Sequence, residues 1–278
     1  MRTAAVLSAL RRDPALAISA GLVVIFVIIA VFGPWIAPQD PNQINPGSNY
    51  LPPSGDFWFG TDRSGRDLFS RLIVGTRMAL LGAFAVVVID VGLGTVYGLI
   101  AGYIGGRVDN IMMRIGDILL SFPALIMGVL FVAIFGPGLI PVVVGLALVY
   151  MPTAARVVRS QARIQTKEQY VEAGRLLGYS PLRIALRHVL PNCLSQIIVQ
   201  ASIVLAYAVV DLAALSFLGL GVQPPTPDWG NMLAEAQKSM LLAPWLAIFP
   251  ALAIIILVLA WNVFGARLRY HLDPTERR

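Results

Sequence analysis

The sequence predicts an all-α polytopic membrane protein with six transmembrane helices. Three observations lead there. Of the 278 residues, 57% are hydrophobic and only 13% charged, about half the charged share of an ordinary soluble domain. The apolar residues gather into six stretches, each near the ~20 residues that a helix needs to cross the hydrocarbon of a bilayer. The basic residues between those stretches alternate between crowded and sparse segments, as chain topology in a membrane requires.

The first span runs from about Ala15 to Ala37. Asp13 supplies an N-cap and Pro14 a first helical residue. The span is too long for a signal-peptide core and lacks a small-x-small cleavage site, so it reads as an uncleaved anchor. The second span covers about Met78 to Ala101. Its Gly94, Gly98 and Gly102 recur every four residues and open one face to close packing. The third span covers about Ile111 to Phe135 and the fourth about Leu139 to Val158. Pro123 and Pro152 are predicted to kink them. The fifth runs from about Leu194 to Phe217 and the sixth from about Pro244 to Ala266. There is no internal repeat and no low-complexity tract. The natural division is 1–77 (tail, first span and loop), 78–268 (a five-helix core holding a loop at 159–192), and a tail at 269–278.

Two loops on one side are long. Gln39 to Arg77 opens with the turn-rich P-Q-D-P-N-Q-I-N-P-G and continues into a stretch, about Ser64 to Leu72, that predicts a short interfacial helix. Gly219 to Ala243 is stiffened by Pro224, Pro225 and Pro227. With the N-terminus inside, fifteen basic residues of tails and loops lie on the cytoplasmic side and five outside, which sets both termini in the cytoplasm. Topology therefore explains the net charge of +6, and nucleic acid is not needed.

Several chemistries lack material. Cys193 is the only cysteine, and His188 and His271 lie far apart, so no metal site is expected. No G-x-x-x-x-G-K-[S/T] loop occurs, so ATP is not bound that way. No Ser-His-Asp or Cys-His arrangement assembles, and no catalytic residue is assigned. Three acidic residues do fall inside spans, where charge is costly and points to function or pairing: Asp90, Asp117 and Asp211. Asp117 is three residues from Arg114 and predicts an ion pair with it. For Asp90 and Asp211 two readings stand, structural pairing and a place on a transport path.

The loop between the fourth and fifth spans is the unusual element. Thr166 to Leu177 is rich in helix formers, with Val171, Ala173, Leu176 and Leu177 on one side. Gly178 ends that helix by taking positive φ. Ser180 and Pro181 cap a second short helix that runs to about Leu190, where Pro191 stops it. A basic amphipathic segment of this kind also suits anionic lipid.

The order of residues goes further. Glu172-Ala173-Gly174, three residues, Gly178, and then Leu190-Pro191 resembles the EAA loop of ABC importer permeases: E-A-A, three residues, G, nine residues, I, any residue, L-P. His188 stands where Ile is usual, and Gly174 where the second Ala is. The resemblance extends along the chain through R-R-D-P at Arg11, F-G-T-D-R-S-G-R-D-L-F-S-R-L at Phe59, A-G-Y-I-G-G-R-V-D at Ala101, A-L-S-F-L-G-L-G-V-Q-P-P-T-P-D-W-G-N-M-L at Ala214 and A-P-W-L at Ala243. These stretches look like the C-type permease subunit of the dipeptide, oligopeptide and nickel importers.

That resemblance implies a type I ABC importer permease fold in a bacterial or archaeal cytoplasmic membrane. It implies a homologous permease subunit as partner, two ATP-binding subunits that hold ATP and Mg, and an extracytoplasmic substrate-binding protein. The loop would be the ATPase-coupling element. Glu172 and Arg175 would be its docking residues, Ala173 and Gly174 would allow close approach, and Gly178 would set the turn before Pro191. Asp211 would attract the amino terminus of a peptide, and Asp90 would line the path or meet the sister subunit. Nickel chelates and other small solutes are rival cargoes. A secondary transporter, a channel or a membrane anchor is a rival of another class, and none of these has a use for a docking loop.

Overall fold

The structure, a computed structural model, describes residues 13–272; Arg11, Arg12 and the tail from 273 on lie outside the described residues. It is built of helices: α1 (Pro14–Ile36), α2 (Leu68–Ile104), α3 (Gly106–Leu120), α4 (Ala124–Phe135), α5 (Leu139–Gln165), α6 (Gln169–Leu176), α7 (Pro181–Ile184), α8 (Leu190–Phe217), α9 (Trp229–Gln237) and α10 (Trp245–Leu272). Among the described residues, five helices are long and apolar enough to cross a membrane, with α7 and α8 counted as one. The pair α3 and α4 passes the same test together but bends by 84° at the break.

That bend corrects the predicted third span: in place of one kinked helix, two helices meet at a sharp break. Pro123 is its cause. Proline disfavours helical backbone in the residue before it, and Ser121 and Phe122 accordingly form a turn before α4 restarts. Pro152, by contrast, stays inside a continuous α5.

The second span is also longer than predicted. At 37 residues, α2 measures about 55 Å at 1.5 Å per residue, well beyond the ~30 Å of hydrocarbon. The extra length lies at its start. The stretch predicted as a separate interfacial helix is instead a turn followed by the first turns of α2, and the Asp67 side chain caps it by accepting from the Ser70 N–H at 2.9 Å. The Asp62 carboxylate pairs with Arg66 at 2.6 Å, and Arg66 reaches Glu235 of α9 at 3.1 Å. These contacts fold the loop between α1 and α2 onto α9.

Helix α9 is wedged into the bundle by Trp229, which is 1% exposed. Its indole N–H donates to the Leu72 carbonyl at 3.0 Å. The main core joins α1, α2, α4, α5, α8, α9 and α10.

The glycine stripe of α2 packs as predicted. A Cβ on Gly94 would lie 2.7 Å from the Ala154 Cβ, and one on Gly102 would lie 2.7 Å from the Arg159 carbonyl. Only the absence of side chains there lets α2 and α5 lie this close. Helix α5 also meets α3 through charge. The Asp109 carboxylate, fully buried, pairs with Arg159 and with Arg163 at 2.8 Å. Asp117 pairs with Arg156, not with Arg114 three residues back. An arginine on a packed neighbouring helix reaches it where the local one does not.

Asp13 accepts from the Ala15 and Leu16 N–H groups at 3.1 and 3.2 Å, as the predicted N-cap. It also meets Arg267 at 3.7 Å and His271 at 3.4 Å on α10. The start of α1 and the end of α10 therefore lie on one face of the bundle.

Candidate functional site

The loop between α5 and α8 forms a small body with its own core. Val171 of α6, Ile184 of α7, and Ala185 and Val189 of the turn after it are buried with Leu99 of α2, Val158 and Ala162 of α5, and Cys193 and Ile197 of α8. Four apolar groups of the loop thus lock onto three spanning helices. A hydrogen-bond chain adds to this: the Asn192 amide donates to the Tyr170 hydroxyl at 3.2 Å, and that hydroxyl donates to the Gln165 side-chain oxygen at 2.5 Å. The chain ties α6 to the last turn of α5 and the first of α8.

The local signals act as read. Gly178 takes φ +76°, a left-handed value that costs an L-residue energy, and the Tyr179 N–H closes back on the Gly174 carbonyl at 3.0 Å. The Ser180 hydroxyl caps α7 by accepting from Arg183 N–H at 3.3 Å.

Pro191 does not stop the helix. After α7 the backbone widens into a single π turn, Ala185–Val189, and α8 begins at Leu190. The Leu190 N–H bonds to the Ala185 carbonyl, five residues back. Proline brings no N–H and its ring crowds the carbonyl four residues earlier; the wider turn makes room, as such bulges do. The Asn192 amide also takes up the His188 carbonyl at 2.7 Å. The loop is consequently the cranked end of a spanning helix.

The outward face differs from the predicted one. Val171 and Gly174 turn inward, whereas Glu172, Ala173, Arg175, Leu176, Leu177 and Gly178 are exposed. Leu176 is 85% exposed, Leu177 70% and Leu182 68%. The predicted apolar side of α6 is therefore split: Val171 anchors it and the two leucines face away. Arg175 stands over the Tyr103 ring at 6.0 Å and Arg183 over Tyr179 at 4.2 Å, so these two arginines also pack on aromatic faces. Within the chain, a Cβ on Gly174 would meet its nearest neighbour, Tyr179, at an ordinary 3.5 Å.

The second feature is a cleft of about 390 Å³ between α5 and α8, lined by Tyr150, Thr153, Gln200, Tyr207 and Asp211, with Ile203 and Val204. The Tyr150 hydroxyl donates to the Asp211 carboxylate. Asp211 is thus both paired and open to the cleft. Asp90 is neither. It is fully buried in α2, and neither carboxylate oxygen has a hydrogen-bond partner. It lines none of the cleft and has no surface for a sister subunit.

Comparison with known families, relatives and solved structures places the chain. The model of the binding-protein-dependent transport system inner membrane component matches residues 94–278, and that of the N-terminal TM domain of oligopeptide transport permease C matches residues 3–53. The chain belongs to the family of binding-protein-dependent transport inner membrane components. It is similar to the di/tripeptide transport system permease protein DppC of Pseudomonas aeruginosa, with 44% identity over 90% of this chain and 84% of that protein. It is 40% identical to the dipeptide permease DppC of Alkalihalophilus pseudofirmus over 91% and 84%. It is 42% identical to the glutathione permease GsiD of Pectobacterium atrosepticum over 93% and 86%. Among solved structures, a chain of the MetNI methionine ABC transporter in inward facing conformations superposes with a TM-score of 0.51 at 19% identity, over 70% of this chain and 94% of that one. That likeness shows the fold: a type I importer permease.

The permease is a multi-pass inner-membrane subunit of an ABC importer. Sequence reading missed Asp109, Tyr150 and Tyr207. A usable signal for the cleft was present. Gln196, Gln200, Tyr207 and Asp211 follow one another at spacings of four, seven and four, which is one stripe of a helix.

Proposed function

We propose that this permease imports di- and oligopeptides into the cytoplasm of a bacterium or archaeon. It forms the pathway with a homologous permease, receives substrate from an extracytoplasmic binding protein, and couples through α6 and α7 to one of two ATP-binding subunits. Those subunits hold the ATP and Mg. Both termini and the coupling loop face the cytoplasm, where the basic residues concentrate.

The observation that carries this reading is the division of α6. One face is locked to α2, α5 and α8 through Val171. The other presents Glu172, Ala173, Arg175, Leu176 and Leu177 to the outside. An exposed patch mixing leucines with charge, on a rigid base, suits a protein partner better than water. A displacement of α7 by that partner would pass into α8 without a break, since the backbone stays helical from Pro181 through Pro191, and α6 shares one buried cluster with α7 through Val171 and Ile184. The peptide cargo is supported by the DppC and GsiD relatives, whose named substrates are dipeptides, tripeptides and glutathione. The cleft holding Asp211 supplies the polar surface that such a cargo needs.

The test is uptake of labelled di- and tripeptides, and of nickel, in cells carrying the chain intact, deleted, or as Glu172→Lys. The expected result is energy-dependent peptide uptake that is lost on deletion and collapses with Glu172→Lys while the protein still reaches the membrane. Loss of nickel uptake alone would replace the cargo. Normal transport by Glu172→Lys would remove the docking role of the loop.

A further inference from the structure

Helices α2, α3, α5 and α8 carry four carboxylates between them, and these are balanced differently. Asp109 meets Arg159 and Arg163, and Asp117 meets Arg156. Asp90 has no hydrogen-bond partner and no exposed surface. Asp211 opens on a cleft and has no cation beside it; among the described residues, the hydrogen-bond partner of its side chain is the Tyr150 hydroxyl. A carboxylate within a membrane is costly without a counter-charge. The neutral hydroxyl fixes one of its oxygens and leaves its charge uncancelled.

The rest of the cleft does not set a sign. The hydroxyls of Tyr150 and Thr153 and the Gln200 amide can each donate or accept, and Asp211 is the one charged residue of the lining. Its carboxylate therefore decides which ion the cleft prefers. Tyr207 adds to it. Four residues apart on α8, Tyr207 and Asp211 are neighbours on one face of the helix. The Tyr207 side chain is 59% exposed and lines the same cleft. A carboxylate beside an aromatic ring attracts an alkylammonium group through both.

We infer that Asp211 and Tyr207 form a cation station between α5 and α8, with Tyr150 as the positioning residue that fixes the carboxylate. The ligand class is an organic ammonium group, and the amino terminus of a peptide is one. That identification of the cation rests on the proposed peptide import; the preference for positive charge does not. The membrane subunit thereby adds a charge filter of its own, since an anionic solute or an N-acylated peptide with neutral side chains lacks the group that the station holds.

The first measurement needs no substrate. Tyr207→Cys is made in the complete importer, with its sister permease and ATPases, in bilayer nanodiscs that open both faces to water. The thiol is modified with a trimethylammonium-ethyl or a sulfonato-ethyl methanethiosulfonate, and the reaction is followed by the mass of this chain. Cys193 is buried, and the importer without the substitution gives its background. After normalising to the rates with a free thiol in solution, the cationic reagent is expected to react about tenfold faster or more. Adding Asp211→Asn keeps an oxygen that accepts from Tyr150 and removes the charge, so the preference should vanish. Equal rates for the two reagents, a preference that survives Asp211→Asn, or no reaction with either reagent overturns the station.

The second measurement is dipeptide uptake per ATP hydrolysed, with binding protein present, in proteoliposomes. Asp211→Asn should lower it about fivefold or more, and Tyr207→Leu should fall about threefold below Tyr207→Phe, which keeps a ring face. Unchanged uptake in Asp211→Asn would overturn the peptide amino terminus as the cation held there. If the wild-type importer moves no peptide, the function proposed above falls, while the cation preference is decided by the thiol rates alone.

Discussion

The Asp109 carboxylate of α3 is completely buried against the Arg159 guanidinium of α5, with one of its two contacts at 2.6 Å. Arg163, one turn on, reaches the second carboxylate oxygen at 2.8 Å. Removing the acid leaves two cations, one turn apart on α5, without their counter-charge from α3. Breaking a buried pair in this way costs several kcal/mol; Arg163 is half exposed and water offsets part of that. Asp109→Ala is expected to cost roughly 2–3 kcal/mol, read as a lowered midpoint of thermal unfolding in detergent. The neighbouring Asp117–Arg156 pair is half exposed or more on both sides, and Asp117→Ala should cost less than about 1 kcal/mol. Equal losses at the two sites would argue against burial as the deciding factor.

Helix α2 tests close packing with an internal control. A Cβ on Gly98 would lie 2.9 Å from the Val158 Cβ and still closer to the Ala155 carbonyl, whereas a Cβ on Gly92 meets nothing within 4 Å. Gly98→Leu should separate α2 from α5 and abolish stable insertion. Gly92→Ala should match the wild type or exceed it by up to about 1 kcal/mol, through helix propensity alone. Retention of a wild-type unfolding midpoint by Gly98→Leu would refute the packing argument.

The two glycines of the coupling loop should behave oppositely. Gly174 lies inside α6 with room for a methyl group. Gly174→Ala is therefore expected to keep transport and to gain about 0.5–1 kcal/mol. Gly178 has equal room but holds φ +76°. Gly178→Ala should cost about 1 kcal/mol and lower transport per ATP hydrolysed, because the angle between α6 and α7 is set there.

Asp228 caps α9 by accepting from the Asn231 N–H at 3.0 Å. Burial pushes its carboxyl above the usual range, against the opposing pull of that hydrogen bond and its neighbours. The folded protein thus binds this proton more tightly than the unfolded chain does. The stabilisation linked to it is complete below the unfolded carboxylate pKa and is lost as pH rises through the folded one. Asp228→Asn keeps the capping acceptor and removes the charge, so its advantage over the wild type should grow with pH between acid and neutral conditions. Asp228→Ala should lose about 1 kcal/mol through the missing cap. Unfolding midpoints at several pH values measure both. A constant gap between Asn and Asp would show that burial does not govern this group.

Much of this protein is written in local pattern. Apolar runs of membrane length, the Asp13–Pro14 start of α1, the glycine stripe of α2, the left-handed turn at Gly178 and the Ser180–Pro181 start of α7 each depend on residues within a few positions of one another, so the sequence by itself determined them. The relation of elements distant in the chain was decided only by tertiary structure. Asp117 passes over Arg114 for Arg156 because packing brings α5 alongside. Val171 is buried and Leu176 exposed because α2, α5 and α8 cover one side of α6 only. Asp90 is sealed inside the bundle, while Asp211 opens on a cleft because Tyr150 comes from another helix to meet it. Pro191 would end an isolated helix; held between α7 and α8, the backbone widens by one residue and carries on. Local preferences cost about 1 kcal/mol each, and burial of the groups around them outweighs that.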